Sequence, residues 1–194
     1  MKDFIGIIAV VLAFVAYIPY FLDILKKKSI PHPYSWLIWG LTSFLIFGLQ
    51  MAHGGGAGAY TTATVGFISL LVAILAFRNG AKQAITSQDT IIFIIAIIAA
   101  LLWLLVDQPV ISVSLLVGAD ILGIIPSIRK AWHKPHEETL SMWLINTGRH
   151  GISIFALQQY NFITLLNPLA WVVANGVFSL ILIARRSMLK NKVQ

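Results

Sequence analysis

Seven apolar runs of 17 to 25 residues, at about 4–25, 33–52, 58–78, 90–106, 109–131, 139–158 and 162–186, take up most of the 194-residue chain. A hydrocarbon core of ~30 Å needs about 20 such residues in a helix. Within it every backbone amide must be bonded inside its own segment, so the runs are expected to be membrane-spanning helices. The polar gaps between them are too short to bury a core of their own. Composition agrees, with 58% hydrophobic and 11% charged residues, against about a quarter charged in a soluble domain. The first run, Phe4–Leu22, is long enough to span and lacks a small-x-small cleavage site, so it reads as a retained helix and not a signal peptide. With no cysteine, the chain has no disulfide scaffold, thiolate metal site or cysteine nucleophile.

Lys and Arg in the short loops set the expected orientation. Lys26, Lys27, Lys28, Arg78, Lys82, Arg129, Lys130, Lys134, Arg185, Arg186, Lys190 and Lys192, twelve of the fourteen basic residues, fall on one side. Lys2 lies on the other, and Arg149 falls inside the sixth run. The expected topology is N-terminus outside and C-terminus cytoplasmic, in a multi-pass protein of the cell membrane. The net charge of +7 comes from cations dispersed over four loops. They form no single patch of the kind nucleic acid requires.

Self-comparison uncovers a repeat. A shift of 107 lays residues 17–38 over 124–145, matching Ile18, Pro19, Lys27, Trp36, Leu37 and Ile38 to Ile125, Pro126, Lys134, Trp143, Leu144 and Ile145. At a shift of 110, "GFISL" (66–70) lies over "GVFSL" (176–180). The expected architecture is therefore an all-α membrane protein of seven transmembrane helices in a 3+1+3 arrangement. Residues 1–82 form the first three-helix repeat, 83–107 a linker helix, and 108–194 the second repeat with a short basic tail. Because three is odd, the extra span leaves the two repeats parallel.

The 3+1+3 pattern, the proline in the first helix of each unit, the basic loop after it and "NPLAWVVANG" in the last helix resemble the SWEET and PQ-loop (MtN3-like) transporters. Both Pro-Gln signatures of that superfamily lack the glutamine here, as Pro19-Tyr20 and Pro126-Ser127. The third-helix asparagine is matched by Asn175 but not by Val65. The resemblance implies a solute transporter working by alternating access, with a sugar as the family's substrate.

The residues themselves nominate a site. Asp120 and Arg149 each fall near the middle of a span, where charge is expensive and usually faces a cavity or a partner. They are expected to line a central cavity and to neutralise one another. At the equivalent positions the first unit carries Ala13 and Thr42, so the pair is not something the fold itself needs. His150 is placed to relay a proton with Asp120, and Asn146 shares its face at i+4. Asn175, with Thr42, Thr61, Thr62 and Thr64, would extend a polar lining. The expected substrate-binding set is Asp120, Asn146, Arg149, His150 and Asn175. Pro19 and Pro126 are hinge candidates, with a static kink as the structural alternative. Trp36 and Trp143 are gate candidates; together with Trp39 they equally suit an interfacial aromatic belt. "HGGGAG" (53–58) reads as a flexible loop. Pro33 suits the first turn of the second helix, and Glu137 and Glu138 the positive start of the sixth. Histidines and glutamates in the basic loops lack regular ligand spacing, so no metal and no cofactor is expected.

The expected function is a membrane transporter of a small polar solute (sugar, amino acid or organic acid), with proton coupling open. The alternative is a seven-helix receptor or sensor that binds a small ligand without moving it. No residue pattern nominates an enzyme. The expected partners are the solute and membrane lipid, not nucleic acid, with self-association open.

Overall fold

The computed structural model describes residues 1–78, 85–102, 105 and 108–190. Lys82 and Lys192 of the basic set, residues 103–104 and 106 at the end of the fourth run, and 83–84 and 107 of the linker lie outside them. Among the described residues there are seven α-helices and no strand: α1 (Lys2–Leu25), α2 (Pro33–Ala52), α3 (Tyr60–Arg78), α4 (Ser87–Leu102), α5 (Pro109–His133), α6 (Leu140–Ala156) and α7 (Phe162–Lys190). Short 3-10 turns at Gly56–Ala59 and Pro135–Glu137 precede α3 and α6. Five helices are long and apolar enough to cross a membrane: α1, α2, α3 with its leading turn, α5 and α7.

Of the other two, α4 begins earlier than its run suggests and α6 is shorter. α4 starts at Ser87, not 90, because Thr86 and Asp89 cap each other reciprocally, Thr86 N–H donating to Asp89 Oδ2 at 2.8 Å and Asp89 N–H to Thr86 Oγ1 at 3.3 Å. α6 stops at Ala156 because Leu157 turns extended, and the next two amides bond to Gly55 and Gly54. At 16 and 17 residues, these helices rise ~24–26 Å. Pro33 opens α2 as expected. Glu137 and Glu138 do not cap α6; they pair with Lys134 and Lys130.

α1 displays the logic of the packing. Phe4, Ile7, Val11, Phe14, Ile18 and Leu22 form an exposed stripe, while Gly6, Ala9, Ala13, Ala16, Tyr17, Tyr20 and Ile24 are buried. Large apolar side chains thus face outward, and small residues let helices approach closely, as interfaces inside lipid require. The interior is correspondingly polar: Ser35, Thr42, Gln50, Ser69, Asp120, Asn146 and Arg149 are all buried.

Adding 107 to the seven buried positions of α1 gives Val113, Leu116, Asp120, Gly123, Ile124, Ser127 and Ala131, every one buried in α5. α3 packs on α1 and α2, as α7 packs on α5 and α6. Across the molecule α1 lies along α6 and α5 along α2, while α4 packs against α5 and α2. Exchanging α1, α2 and α3 for α5, α6 and α7 leaves the principal contacts among these six helices unchanged, whereas α4 sides with α5 and α2. Pro19 and Pro126 lie inside α1 and α5, which continue past them, and Pro168 is a third internal proline, in α7.

Candidate functional site: a central aromatic and polar cavity

At the centre the helices leave a small cavity of about 30 Å³, room for about two water molecules. Tyr17 of α1, Trp36, Trp39 and Ser43 of α2, and Thr62, Val65 and Ser69 of α3 line one side. Met142, Trp143, Asn146 and His150 of α6, with Asn167, Trp171 and Asn175 of α7, line the other. Each side contributes seven residues. Several stand at equivalent positions: Trp36 and Trp143, Trp39 and Asn146, Ser43 and His150 at a shift of 107, and Val65 and Asn175 at 110.

Four tryptophans give the cavity its shape. Trp39 is their hub, edge-on to Trp36 at 5.0 Å, to Trp171 at 5.3 Å and to Trp143 at 6.1 Å between ring centroids. Trp36 also stacks on Tyr20 at 5.1 Å, and Trp143 meets Phe178 edge-on at 4.4 Å. Trp36, Trp39 and Trp143 are therefore interior residues and not an interfacial belt. Offset and edge-to-face contacts of this kind hold rings more firmly than area alone does.

Of the five expected substrate-binding residues, Asn146, His150 and Asn175 line the cavity, and Asp120 and Arg149 do not. The expected Asp120–Arg149 pair is absent from the ion pairs of the described residues. The reason is topological, because Asp120 sits where α5 packs on α2 and Arg149 where α6 packs on α1. Each charge stands one side chain behind the wall. Asp120, 0% exposed, accepts from Thr42 Oγ1 and from Trp171 Nε1 (3.2 Å), while its backbone oxygen accepts from Trp39 Nε1 (2.9 Å). It therefore anchors two cavity tryptophans. Arg149, 1% exposed, donates from Nε to Asn146 Oδ1 (2.8 Å) and from Nη2 to His150 Nε2 (2.5 Å). A guanidinium has only donors, so that contact makes Nε2 the lone-pair side of a neutral imidazole. His150 in turn stacks on Trp171, centroids 6.1 Å apart.

The expected threonine lining is mostly used elsewhere. Thr62 reaches the cavity, but Thr42 serves Asp120, Thr61 bonds Gly58 O and Thr64 bonds Tyr60 O. Asn167 and Trp171 are additions to the expected site. Their signal is the i, i+4, i+8 spacing of Asn167, Trp171 and Asn175, which places all three on one face of α7.

Beyond each end of the cavity, bonds join the first three helices to the last three, with further bonds inside the last three at the basic end. At the basic end, Ser29 Oγ and Ile30 N–H donate to Glu137 O at 2.8 and 3.4 Å, and Thr139 Oγ1 donates to Asp23 Oδ2 at 2.7 Å. Lys130 Nζ donates to Ile30 O and pairs with the buried Glu138. Trp143 Nε1 donates to the other oxygen of that carboxylate at 3.3 Å, and Arg186 bonds the carbonyls of Pro135 and Glu138. Ile30 and Glu137 are themselves 107 apart. His32, just outside α2, has Nε2 3.4 Å from Asp89 Oδ2, and burial pulls its pKa down to about 4 despite that carboxylate.

At the opposite end the contacts are largely backbone, with Lys2 Nζ of α1 also donating to Gln158 O at 3.1 Å. Gln159 N–H donates to Gly54 O at 3.0 Å, Gln158 N–H to Gly55 O at 3.4 Å, and Asn161 Nδ2 to His53 O at 3.0 Å. A Cβ on Gly58 would stand 2.8 Å from both Leu157 N and Ser153 O, and Gly54 and Gly56 have φ of +80° and +55°. "HGGGAG" is thus a tightly packed plug whose glycines permit backbone contact, and not a flexible loop. Among the described residues no three His, Asp or Glu side chains converge as metal ligands.

No known family model, curated protein or solved structure matches the chain.

Proposed function

We propose that the chain is a multi-pass membrane transporter that carries a small polar solute by alternating access between two parallel three-helix units, α1–α3 and α5–α7, joined by α4. The observation that carries this is the central cavity, lined equally from both sides, with bonds between the two units beyond each end. An alternating-access carrier needs a central site between two units, and breaking the bonds at one end or the other would expose it to one side of the membrane. The matching burial of α1 and α5 and the exchangeable helix neighbours support the two-unit description. The resemblance to SWEET and PQ-loop transporters agrees with it. The basic loops favour a cytoplasmic C-terminus and an outside N-terminus.

In this scheme Trp36 and Trp143 gate the cytoplasmic end, Pro19 and Pro126 give α1 and α5 their bending points, and Asn146, His150, Asn167 and Asn175 supply the polar contacts. Asp120 is a positioning residue that holds Trp39 and Trp171, and Arg149 stands behind Asn146 and His150, bonded to both. Purified protein reconstituted in liposomes should move labelled small solutes down their gradients, and substitution of Asn175 or Trp171 should slow that movement. Saturable binding with no flux across a broad solute panel would instead favour a seven-helix receptor or sensor.

A further inference from the structure

Among the described residues, Arg149 is a buried cation without a countercharge. The described acids are engaged elsewhere: Asp23 with Thr139, Asp89 with Arg129, Glu137 with Lys134, Glu138 with Lys130, and Asp120 with Thr42 and Trp171. Asp3 lies in the first turn of α1, at the far end of the helix. Arg149 has only the neutral acceptors Asn146 and His150, and its Nη1 has no partner. An uncompensated charge at this depth is costly and usually marks a functional demand.

The repeat makes the missing partner specific. Thr42 of α2 bonds Asp120 of α5. Adding 107 to 42 gives Arg149, and subtracting 107 from 120 gives Ala13, so the position that holds a carboxylate against α2 holds a methyl group against α6. Ala13 is wholly buried. The chain thus pairs a guanidinium with an interface from which its own acid is missing. Both acceptors of Arg149 line the cavity, so the guanidinium lies one side chain from whatever occupies it. Two further wall atoms have no partner, Asn167 Oδ1 and Ser69 Oγ, and both residues are buried. Asn167 Oδ1 can only accept. Among the described residues, no carboxylate lines the cavity to balance an ammonium group.

We infer that the solute is a small hydroxycarboxylate. Its carboxylate displaces Asn146 and His150 from Arg149 and takes two parallel N–H bonds, the geometry a guanidinium favours. Its hydroxyl donates to Asn167 Oδ1, and its short carbon chain lies against Trp39 and Trp171. This rests on the cavity being the solute site proposed above.

The test uses lactate, lactamide (the neutral isostere) and propanoate (lacking the hydroxyl), with binding to the purified protein followed by calorimetry and flux followed in liposomes. Lactate should bind at least tenfold more tightly than either analogue, and Arg149→Gln should abolish its advantage over lactamide while Arg149→Lys retains part of it. Ala13→Asp supplies the missing acid from within, so it should raise the melting temperature and abolish lactate binding together, a combination misfolding does not produce. Equal binding of lactate and lactamide to the unmutated protein overturns the inference, as does Ala13→Asp that folds yet still binds lactate. Flux of neutral solutes with lactate ignored sinks the hydroxycarboxylate and leaves the carrier standing. Arg149-dependent lactate binding without flux does the reverse.

Discussion

Lys130→Met isolates the buried ion pair at the basic end. The Lys130 and Glu138 side chains are 10% and 2% exposed, so removing the ammonium leaves a carboxylate that water can barely reach. Its remaining side-chain hydrogen bond is from Trp143 Nε1 at 3.3 Å, with the Arg186 guanidinium the remaining cation nearby. Breaking one side of such a pair costs about 3–5 kcal/mol, whereas removing both charges is often close to neutral. The partial exposure of Lys130 puts the single substitution near the lower figure. At roughly 2–4 °C per kcal/mol for a chain of this size, about 3 kcal/mol lowers the melting temperature by ~6–12 °C. Lys130→Met/Glu138→Gln should recover most of that loss. The assay is thermal unfolding in detergent followed by circular dichroism, for the parent, both single variants and the double. The same substitution removes the contact of Lys130 across the two units, to Ile30 O, and loosens the carboxylate that holds Trp143. A cysteine placed at Met142 should then react faster with a membrane-impermeant maleimide added on the basic side, a clean readout because the chain has no other cysteine. A single variant that melts within about 2 °C of the parent, less than 1 kcal/mol at that conversion, or a double variant no better than the single, would contradict this account of the pair.

Three further outcomes follow from the same geometry. Asp120→Asn and Trp171→Phe should each destabilise by about 1–2 kcal/mol and together cost less than their sum, because both weaken the same Trp171–Asp120 hydrogen bond; additive losses in a double-mutant cycle would show the indole N–H is not held by Asp120. Gly58→Ala forces a Cβ to 2.8 Å from two backbone atoms, so it should lower stability by about 1–3 kcal/mol and raise the labelling of a cysteine at Thr62 from the glycine-loop side; unchanged labelling and melting would mean the plug is loose. His32 has a folded pKa of about 4 against about 6.5 unfolded. A lowered histidine pKa means the unfolded chain takes up the proton first, so this contribution is whole above about pH 6.5 and is lost as pH falls toward 4. About 2 kcal/mol should disappear between roughly pH 6.5 and 5, and His32→Asn should flatten that part of the melting profile; an unaltered slope would show that another group carries it.

Much of the cavity wall is legible in the chain alone. Asn146, His150 and Asn175 stand out as polar residues deep in apolar runs, and Trp36 and Trp143 as matched residues 107 apart. Asn167 and Trp171 give a weaker signal because they lie in a stretch that reads as an ordinary apolar helix, and only their spacing with Asn175 gives them a shared face. The glycine-rich stretch misleads for a related reason. Glycine signals freedom of the backbone, and composition does not say whether that freedom is used for motion or for close contact; here Leu157 and Ser153 press against Gly58 and decide it.

Local pattern is enough to establish how many helices there are and roughly where they end, the prolines within them, and the depth of Asp120 and Arg149. These depend on periodicity and hydropathy over a single run, which a linear chain of residues records completely. Which charge meets which neighbour is settled only once α5 lies along α2 and α6 along α1. Depth along an apolar helix is a property of that helix alone, but pairing depends on rotation about the helix axis and on the choice of neighbour, and both are set by packing among several helices at once.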